Sequence, residues 1–432
     1  MAERQPLTPD DFWSLRFITD MCLAPDGRHI AYALESNDPA ANERHSAIWL
    51  LDTETGASTQ FTNGAKRDHS PRWSPDGSHL AFVSNRDGKE GQVYVMPAHG
   101  GEARQLTHMK HGASDLFWSG DGTWIGFESE VRPDEPPFTP DAHDTAARER
   151  EAQRDKDESD RPRIITRLQY RWDGKGYFEG RTHLFRVTID DGRVEQLTDG
   201  DFDNSDGACS PDGRFVAFIS DRTDERDANM TSDLWLLDLQ TRDLRCLTAA
   251  THSISHLTWS PDGARIAFLA SPKITDHAFY HTALLVADPN TGQITTNLLD
   301  ALDRSADFGI YGDIPGPSQP APVWSPDGTA LYVLSQRRGG VDVLRVLAAG
   351  GAAETVVNGE DAHLTQIAVS HDAARLYALR ADPTSPWEIH QYALDNIASE
   401  TSVLQAFDAG STPTIPARRL TTINAAVAEQ RA

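Results

Sequence analysis

Trp73-Ser74-Pro75-Asp76-Gly77, followed by His79-Leu80-Ala81-Phe82-Val83, is the stretch whose reading decides the fold. It has the chemistry of a tight hairpin. Pro75 sets φ at about −65° at the first corner, Asp76 can bond the backbone around it, and Gly77 accepts positive φ. His79 to Val83 then reads as a strand, and Trp73 ends the preceding strand on a large apolar side chain.

The unit recurs. Copies stand at Ala24-Pro25-Asp26-Gly27, Trp118-Ser119-Gly120-Asp121-Gly122, Cys209-Ser210-Pro211-Asp212-Gly213, Trp259-Ser260-Pro261-Asp262-Gly263 and Trp324-Ser325-Pro326-Asp327-Gly328, with a worn seventh at Val369-Ser370-His371-Asp372-Ala373. Between Asp26, Asp76, Asp121, Asp212, Asp262, Asp327 and Asp372 the spacings are 50, 45, 91, 50, 65 and 45 residues. Chance turns do not keep such a period, and repeats of about 40–45 residues carrying four strand-like runs are propeller blades. The expected fold is therefore all-β, a seven-bladed β-propeller of four-stranded antiparallel blades. A short N-terminal helix should occupy 1–16, capped by Thr8 with Pro9 in its first turn. The ring should span 17–410, with an insertion in blade three at about 128–182, and 411–432 should form an exit segment.

Lys+Arg 40 against Asp+Glu 65 gives a net charge of −25, which repels nucleic acid and anionic membrane surfaces and leaves a peptide or a basic ligand as a partner. The first residues, Met1-Ala2-Glu3-Arg4-Gln5-Pro6, lack the pattern of a signal peptide, and no run approaches the ~18 apolar residues of a membrane span. Cys22, Cys209 and Cys246 form no disulfide framework and have no metal-ligand spacing. These features point to a cytoplasmic protein, with Cys209 filling the core slot that other repeats give to Trp.

Four-strand meanders place the second-to-third strand loops, every blade-to-blade loop and both chain ends on one face. The insertion lies on that face. Its central run, Ala146 to Asp160, is charged with no apolar side and reads as mobile or a frayed helix. Its end mixes arginine with aromatics, Arg167-Leu168-Gln169-Tyr170-Arg171-Trp172, then Tyr177-Phe178, and should be ordered. Arg167 and Arg171, four apart, would share a face on either a helix or a strand.

Catalytic motifs are absent: there is no G-x-S-x-G, no H-E-x-x-H, no P-loop and no paired Cys motif. No catalytic residue and no cofactor is assigned. His69, His108, His111, His252, His256 and His363 fall in predicted blade-to-blade loops, where a wet axial channel accounts for them as well as a metal does, so no metal is assigned either. Asp199-Gly200-Asp201-Phe202-Asp203 opens like a calcium loop, but its sixth position is Asn204 and its twelfth Ser210, which reads as a solvated acidic loop. The Arg/aromatic segment has two readings, a ligand-contacting element or a packed insertion whose arginines pair with nearby acids.

Together, the repeats, the N-terminal Leu7-Thr8-Pro9-Asp10-Asp11-Phe12, the segment 167–178 and the terminal Arg419-Leu420-Thr421-Thr422-Ile423-Asn424 resemble the propeller domain of the prolyl oligopeptidase family, in its acylaminoacyl-peptidase-like branch. The resemblance covers nearly the whole chain. It implies a propeller that admits small peptides to an α/β-hydrolase domain with a Ser-Asp-His triad, expected after residue 432 and not in this sequence. Partners implied are peptide substrates, that hydrolase domain and a second copy of the chain in a homo-oligomer. From the residues themselves, Arg167, Tyr170, Arg171 and Trp172 are the candidate substrate-binding group. A free-standing TolB-type propeller acting as a protein-interaction scaffold is the alternative, since the repeat unit alone fits both.

Overall fold

The computed structural model describes residues 6–133, 135–138, 149–150, 153–154, 156–157, 162–168, 170–173, 176–229, 231–272, 280–307, 316–394 and 416–430. Seven antiparallel sheets follow one another round an axis. Six contain four strands in sequence order and blade five contains three, its fourth reduced to the single bridge Ala287–Ile294. The first strands of adjacent blades touch one another and so line the axis. Blade two shows the pattern: Asp68–Trp73, His79–Ser84, Gln92–Pro97 and Arg104–Gln105, with the second strand buried along nearly its whole length.

The repeat unit works as its chemistry predicts. Ser74 Oγ donates to Asp76 Oδ1 at 2.6 Å, the Ser78 N–H donates to the same oxygen at 3.0 Å, and the His79 N–H reaches Ser74 Oγ at 2.9 Å. Gly77 takes φ 70°, as the turn requires. The turns also pack on one another round the face opposite the insertion. A Cβ on Gly77, Gly122, Gly263 or Gly328 would lie 3.5–3.7 Å from the proline of the preceding turn, Pro25, Pro75, Pro211 or Pro261. Each of four tryptophans ties its blade to the one before. Trp73 Nε1–H donates to Cys22 O at 3.2 Å, Trp118 to Arg72 O at 2.9 Å, Trp259 to Ala208 O at 3.1 Å and Trp324 to Thr258 O at 3.3 Å. Trp259 and Trp324 are buried, while Trp73 and Trp118 are half-buried.

A second recurrent device, a Phe-Thr or Leu-Thr pair just after the fourth strand, closes five of the seven blades. The hydroxyl of the Thr in the Phe/Leu-Thr pair accepts from the start of the third strand: Ile48 N–H to Thr62 at 3.0 Å, Val93 to Thr107 at 2.9 Å, Leu184 to Thr198 at 2.9 Å and Leu234 to Thr248 at 3.0 Å. Ile389 N–H makes the same bond to Thr421 at 2.9 Å. That bond corrects the sequence-based boundary. Blade seven takes its fourth strand from Ala417–Arg419, paired with Ser385–Ala393, so the ring extends past 410 into the stretch assigned as an exit.

Blades one and seven each own all their strands, so among the described residues no strand crosses the closing seam. That seam is held by an apolar cluster of Ile18, Tyr32, Tyr377, Leu379, Trp387 and Leu420, with Arg16 N–H donating to Asn424 Oδ1 at 2.9 Å. The latter bond puts the start and end of the ring together on the face that carries the insertion. The N-terminal helix is shorter than expected, a 3-10 turn over Pro9–Ser14 held by Asp11, which accepts from the Thr8 N–H at 2.7 Å and the Thr8 hydroxyl at 2.9 Å. Among the described residues no helix is long and apolar enough to cross a membrane.

Candidate functional site

Blade three widens where the insertion leaves it. Its second strand runs Trp124–Val131 and its third resumes at Arg181–Thr188, so the blade keeps residues at both ends of the predicted insertion. Of the charged run 146–160 only 149–150, 153–154 and 156–157 are described, and these are helical. Glu135 pins the near end: its carboxylate, 3% exposed, meets Lys110, the His111 Nε2 at 3.0 Å and Arg154 Nη2 at 3.0 Å. A buried carboxylate costs several kcal/mol unless paired this closely. Burial raises its pKa, but the hydrogen bonds from Lys110 and His111 outweigh that and hold it below the usual carboxylate range.

At the far end the segment folds into a small hairpin in which Arg171–Trp172 pairs with Gly176–Tyr177, extended by Phe178 N–H to Tyr170 O at 3.0 Å. Gln169, Gly174 and Lys175 lie outside the described residues. Tyr170 stacks on Tyr177 with ring centroids 6.2 Å apart, and the Arg171 guanidinium lies 5.8 Å from the Tyr177 ring. Such contacts order the hairpin cheaply, because aromatic faces attract both rings and guanidinium. The hairpin nevertheless shows solvent a largely apolar surface: Ile164 is 82% exposed, Leu168 71% and Trp172 60%.

Between the insertion and blade four opens a cleft of about 1190 Å³, walled by Arg132, Arg163, Arg167, Arg181 and Arg226 and by Glu179, Asp199, Asp201 and Asp227. Its charges nearly balance. Arg181 binds Asp201 at 2.8 Å and Asp203 at 2.9 Å, Arg226 binds Asp201 at 2.6 Å, and Arg167 binds Asp203 at 3.1 Å and reaches Asp227 at 3.6 Å. Hydrogen bonding from Arg181 holds the Asp201 carboxyl below the usual carboxylate range, and burial lowers the neighbouring His183 imidazole. The loop read as a solvated acidic segment is thus largely spent on arginines.

The four sequence candidates do not form one constellation. Arg167 sits in the cleft, held by Asp203, by Gly180 O at 3.3 Å and over the Phe178 ring at 5.5 Å. Arg171 and Trp172 line a separate shallow hollow, and Tyr170 borders both. The even spacing of Arg167 and Arg171 places them on one face only within a regular element, and Arg167 lies before the strand begins. Arg181 and Arg226 complete the cleft without having been singled out, because they come from a strand end and a loop of different blades that only the ring brings together. Of the six histidines read as loop residues, His69, His252, His256 and His363 lie in axial strands. Among the described residues no group of three or more His, Cys, Asp or Glu is arranged to hold a metal.

The acylaminoacyl-peptidase N-terminal beta-propeller family matches residues 152–277, the stretch that carries the hairpin and the cleft, and the TolB beta propeller family matches 18–155. Among curated relatives, a Bacillus subtilis protein described as uncharacterized peptidase YuxL is 31% identical over 393 residues, 90% of this chain and 57% of its own length. The chain is a β-propeller domain of the prolyl oligopeptidase family, in its acylaminoacyl-peptidase-like branch. Dipeptidyl-peptidase 5 of Porphyromonas gingivalis is 24% identical over 377 residues, 82% of this chain and 50% of its own. This propeller therefore spans about half the length of the curated relatives it matches. Pyrococcus horikoshii acylaminoacyl peptidase shares its fold at a TM-score of 0.67 and 15% identity, over 97% of this chain and 54% of that one. So does the propeller of the Trilobed protease from Pyrococcus furiosus, described as having an open velcro topology, at a TM-score of 0.59 and 14% identity, over 96% of this chain and 98% of that one.

Proposed function

We propose that this propeller admits small peptides to an α/β-hydrolase domain of a serine peptidase and contacts them through the blade-three hairpin. The observation that carries the reading is the placement of that hairpin: the insertion leaves from a second-to-third strand loop, on the face where Arg16 and Asn424 bring the two ends of the ring together. A hydrolase continuing from the ring would stand over that face. Arg171, Tyr170 and Trp172 are then the contact group, since Arg171 has no carboxylate partner among the described residues and its planar fork can take a peptide carboxylate with two charge-assisted bonds. Arg167 serves as a positioning residue that docks the insertion on Asp203. The three free thiols fit a reducing, cytoplasmic setting.

The test joins the propeller to a catalytic domain of the family and compares kcat/KM on peptides with free and amidated C-termini. Arg171→Ala should cost about tenfold or more on free C-termini and little on amidated ones. Arg167→Ala should lower both alike. Equal effects of Arg171→Ala on both substrates would remove the contact role.

A further inference from the structure

Four of the seven seams carry the same two ties, a tryptophan bonded to the preceding blade and a turn glycine packed on the preceding proline. The seam between blades three and four has neither. Cys209 replaces the tryptophan and Gly120 the proline, and a Cβ on Gly213 would meet nothing within 4 Å. Instead Pro211 presses its carbonyl oxygen to 2.1 Å from where a Cβ on Gly120 would lie, and the Phe117 ring fills the space beside Gly126 and Gly207. Beyond apolar packing the blades are joined by the buried Asn204, whose amide donates to Thr182 O at 3.2 Å and meets His183 Nδ1 at 3.0 Å, and by a set of charges. Arg167 and Arg181, on blade three, reach Asp227 on blade four at 3.6 and 3.9 Å, and both also hold Asp203 in the connecting loop. Glu195 on blade three pairs with Arg242 on blade four, and Glu128 accepts from the Asp206 N–H at 2.7 Å. Among the described residues, no ion pair links blade four to five, five to six, six to seven or seven to one directly.

We propose that the seam between blades three and four is an electrostatic joint of the ring, held shut by the Arg167/Arg181–Asp203/Asp227 and Glu195–Arg242 pairs, and that it parts before the tryptophan-tied seams when those pairs are screened or competed for, giving lateral access to the axis. The pairs are suited to this. Asp203 is 49% and Asp227 32% exposed in their side chains, so salt reaches them, and exposed pairs of this kind are individually weak. The apolar cluster at the closing seam between blades seven and one has no such sensitivity. The large cleft lies at this joint, so a charged peptide entering it competes for the same arginines.

Cys209 reports the opening. It packs in the cluster with Trp124 and Phe117 of blade three, and burial pushes its thiol up to about 11. An exposed thiol titrates at about 8.5, so parting the seam raises its thiolate fraction on the order of a hundredfold at about pH 8. The experiment uses the chain with Cys22→Ser and Cys246→Ser and follows disulfide-reagent labelling of Cys209 as sodium chloride rises from about 50 mM to about 1 M, where the screening length falls to about 3 Å. The labelling rate should rise on the order of tenfold, and Asp203→Asn should give a comparable rise at low salt. Hydrogen exchange should increase in Ser114–Trp118 and Asn204–Cys209 but not in Ala330–Arg337. Labelling that stays flat with salt, or exchange that rises equally at the tryptophan-tied seams, overturns the proposal. If Asp203→Asn fails to fold, the salt series on the parent chain still decides.

Discussion

Trp259→Phe removes the tie between blades four and five while keeping an aromatic ring in the slot. Two losses add. The Nε1–H bond to Ala208 O at 3.1 Å disappears, worth about 0.5–1.5 kcal/mol net in a buried setting. The space of the lost ring atoms, in a cluster where Trp259 is 9% exposed beside Leu257, Ile266 and Leu285, costs about 1–2 kcal/mol more because a seam between two sheets relaxes only in part. The sum is about 1.5–3.5 kcal/mol, read as a lower urea midpoint at unchanged slope. The same energy appears locally as roughly ten- to several-hundredfold faster hydrogen exchange in His252–Trp259 and the strand it faces, Asn204–Cys209. Cys209→Ser, at the equivalent position without a tie, is the comparison and should cost less than about 1 kcal/mol. A loss below about 0.5 kcal/mol for Trp259→Phe, or exchange spread evenly over all blades, would refute the view that these indoles hold the ring together.

Thr421→Val deletes the acceptor for Ile389 N–H and a donor to the buried Glu388, so it should destabilise by about 1–3 kcal/mol in urea and release Ala417–Arg419 to exchange; an unchanged midpoint would mean that strand is dispensable. Burial lowers His363 and His390, both in blade seven, to about 4. The unfolded chain therefore binds more protons below its histidine pKa of about 6.5, so stability is full above pH 6.5 and falls as the pH drops toward 4. Allowing for solvent screening, the loss is about 1–2 kcal/mol per histidine, and His390→Gln should flatten the profile. Glu135→Gln weakens the pin between the insertion and Lys110, His111 and Arg154, and should speed proteolytic cleavage of the insertion several-fold while the ring stays folded; an unchanged cleavage rate would show that other contacts hold it.

The ring was legible because its determinants are local. Ser74 to Leu80 contains every group its turn needs, and seven copies at blade spacing fix the count. The last strand was missed: Arg419-Leu420-Thr421 repeats the Leu-Thr pair that ends other blades, but the long connection before it hid the match, and 411–432 was read as an exit segment. The site was less so. Arg167, Arg181, Arg226, Asp203 and Asp227 meet through tertiary pairing, which no local spacing encodes, and the shared face expected of Arg167 and Arg171 needed a regular element that begins only at Arg171. Gly120 stands where other repeats have Pro and Cys209 where they have Trp, and in the ring the two meet across a seam built differently from its neighbours.

The proposed role rests on admission by size, and one measurement reaches it most directly: kcat/KM for a length series of peptides cleaved by the propeller joined to a catalytic domain of its family, against the same fusion carrying Asp203→Asn, which loosens the seam between blades three and four. The intact ring should sustain cleavage of peptides of a few residues and cut cleavage of chains of about thirty residues by more than tenfold, and opening the ring should narrow the gap. Equal kcat/KM across the series with the ring intact would contradict it.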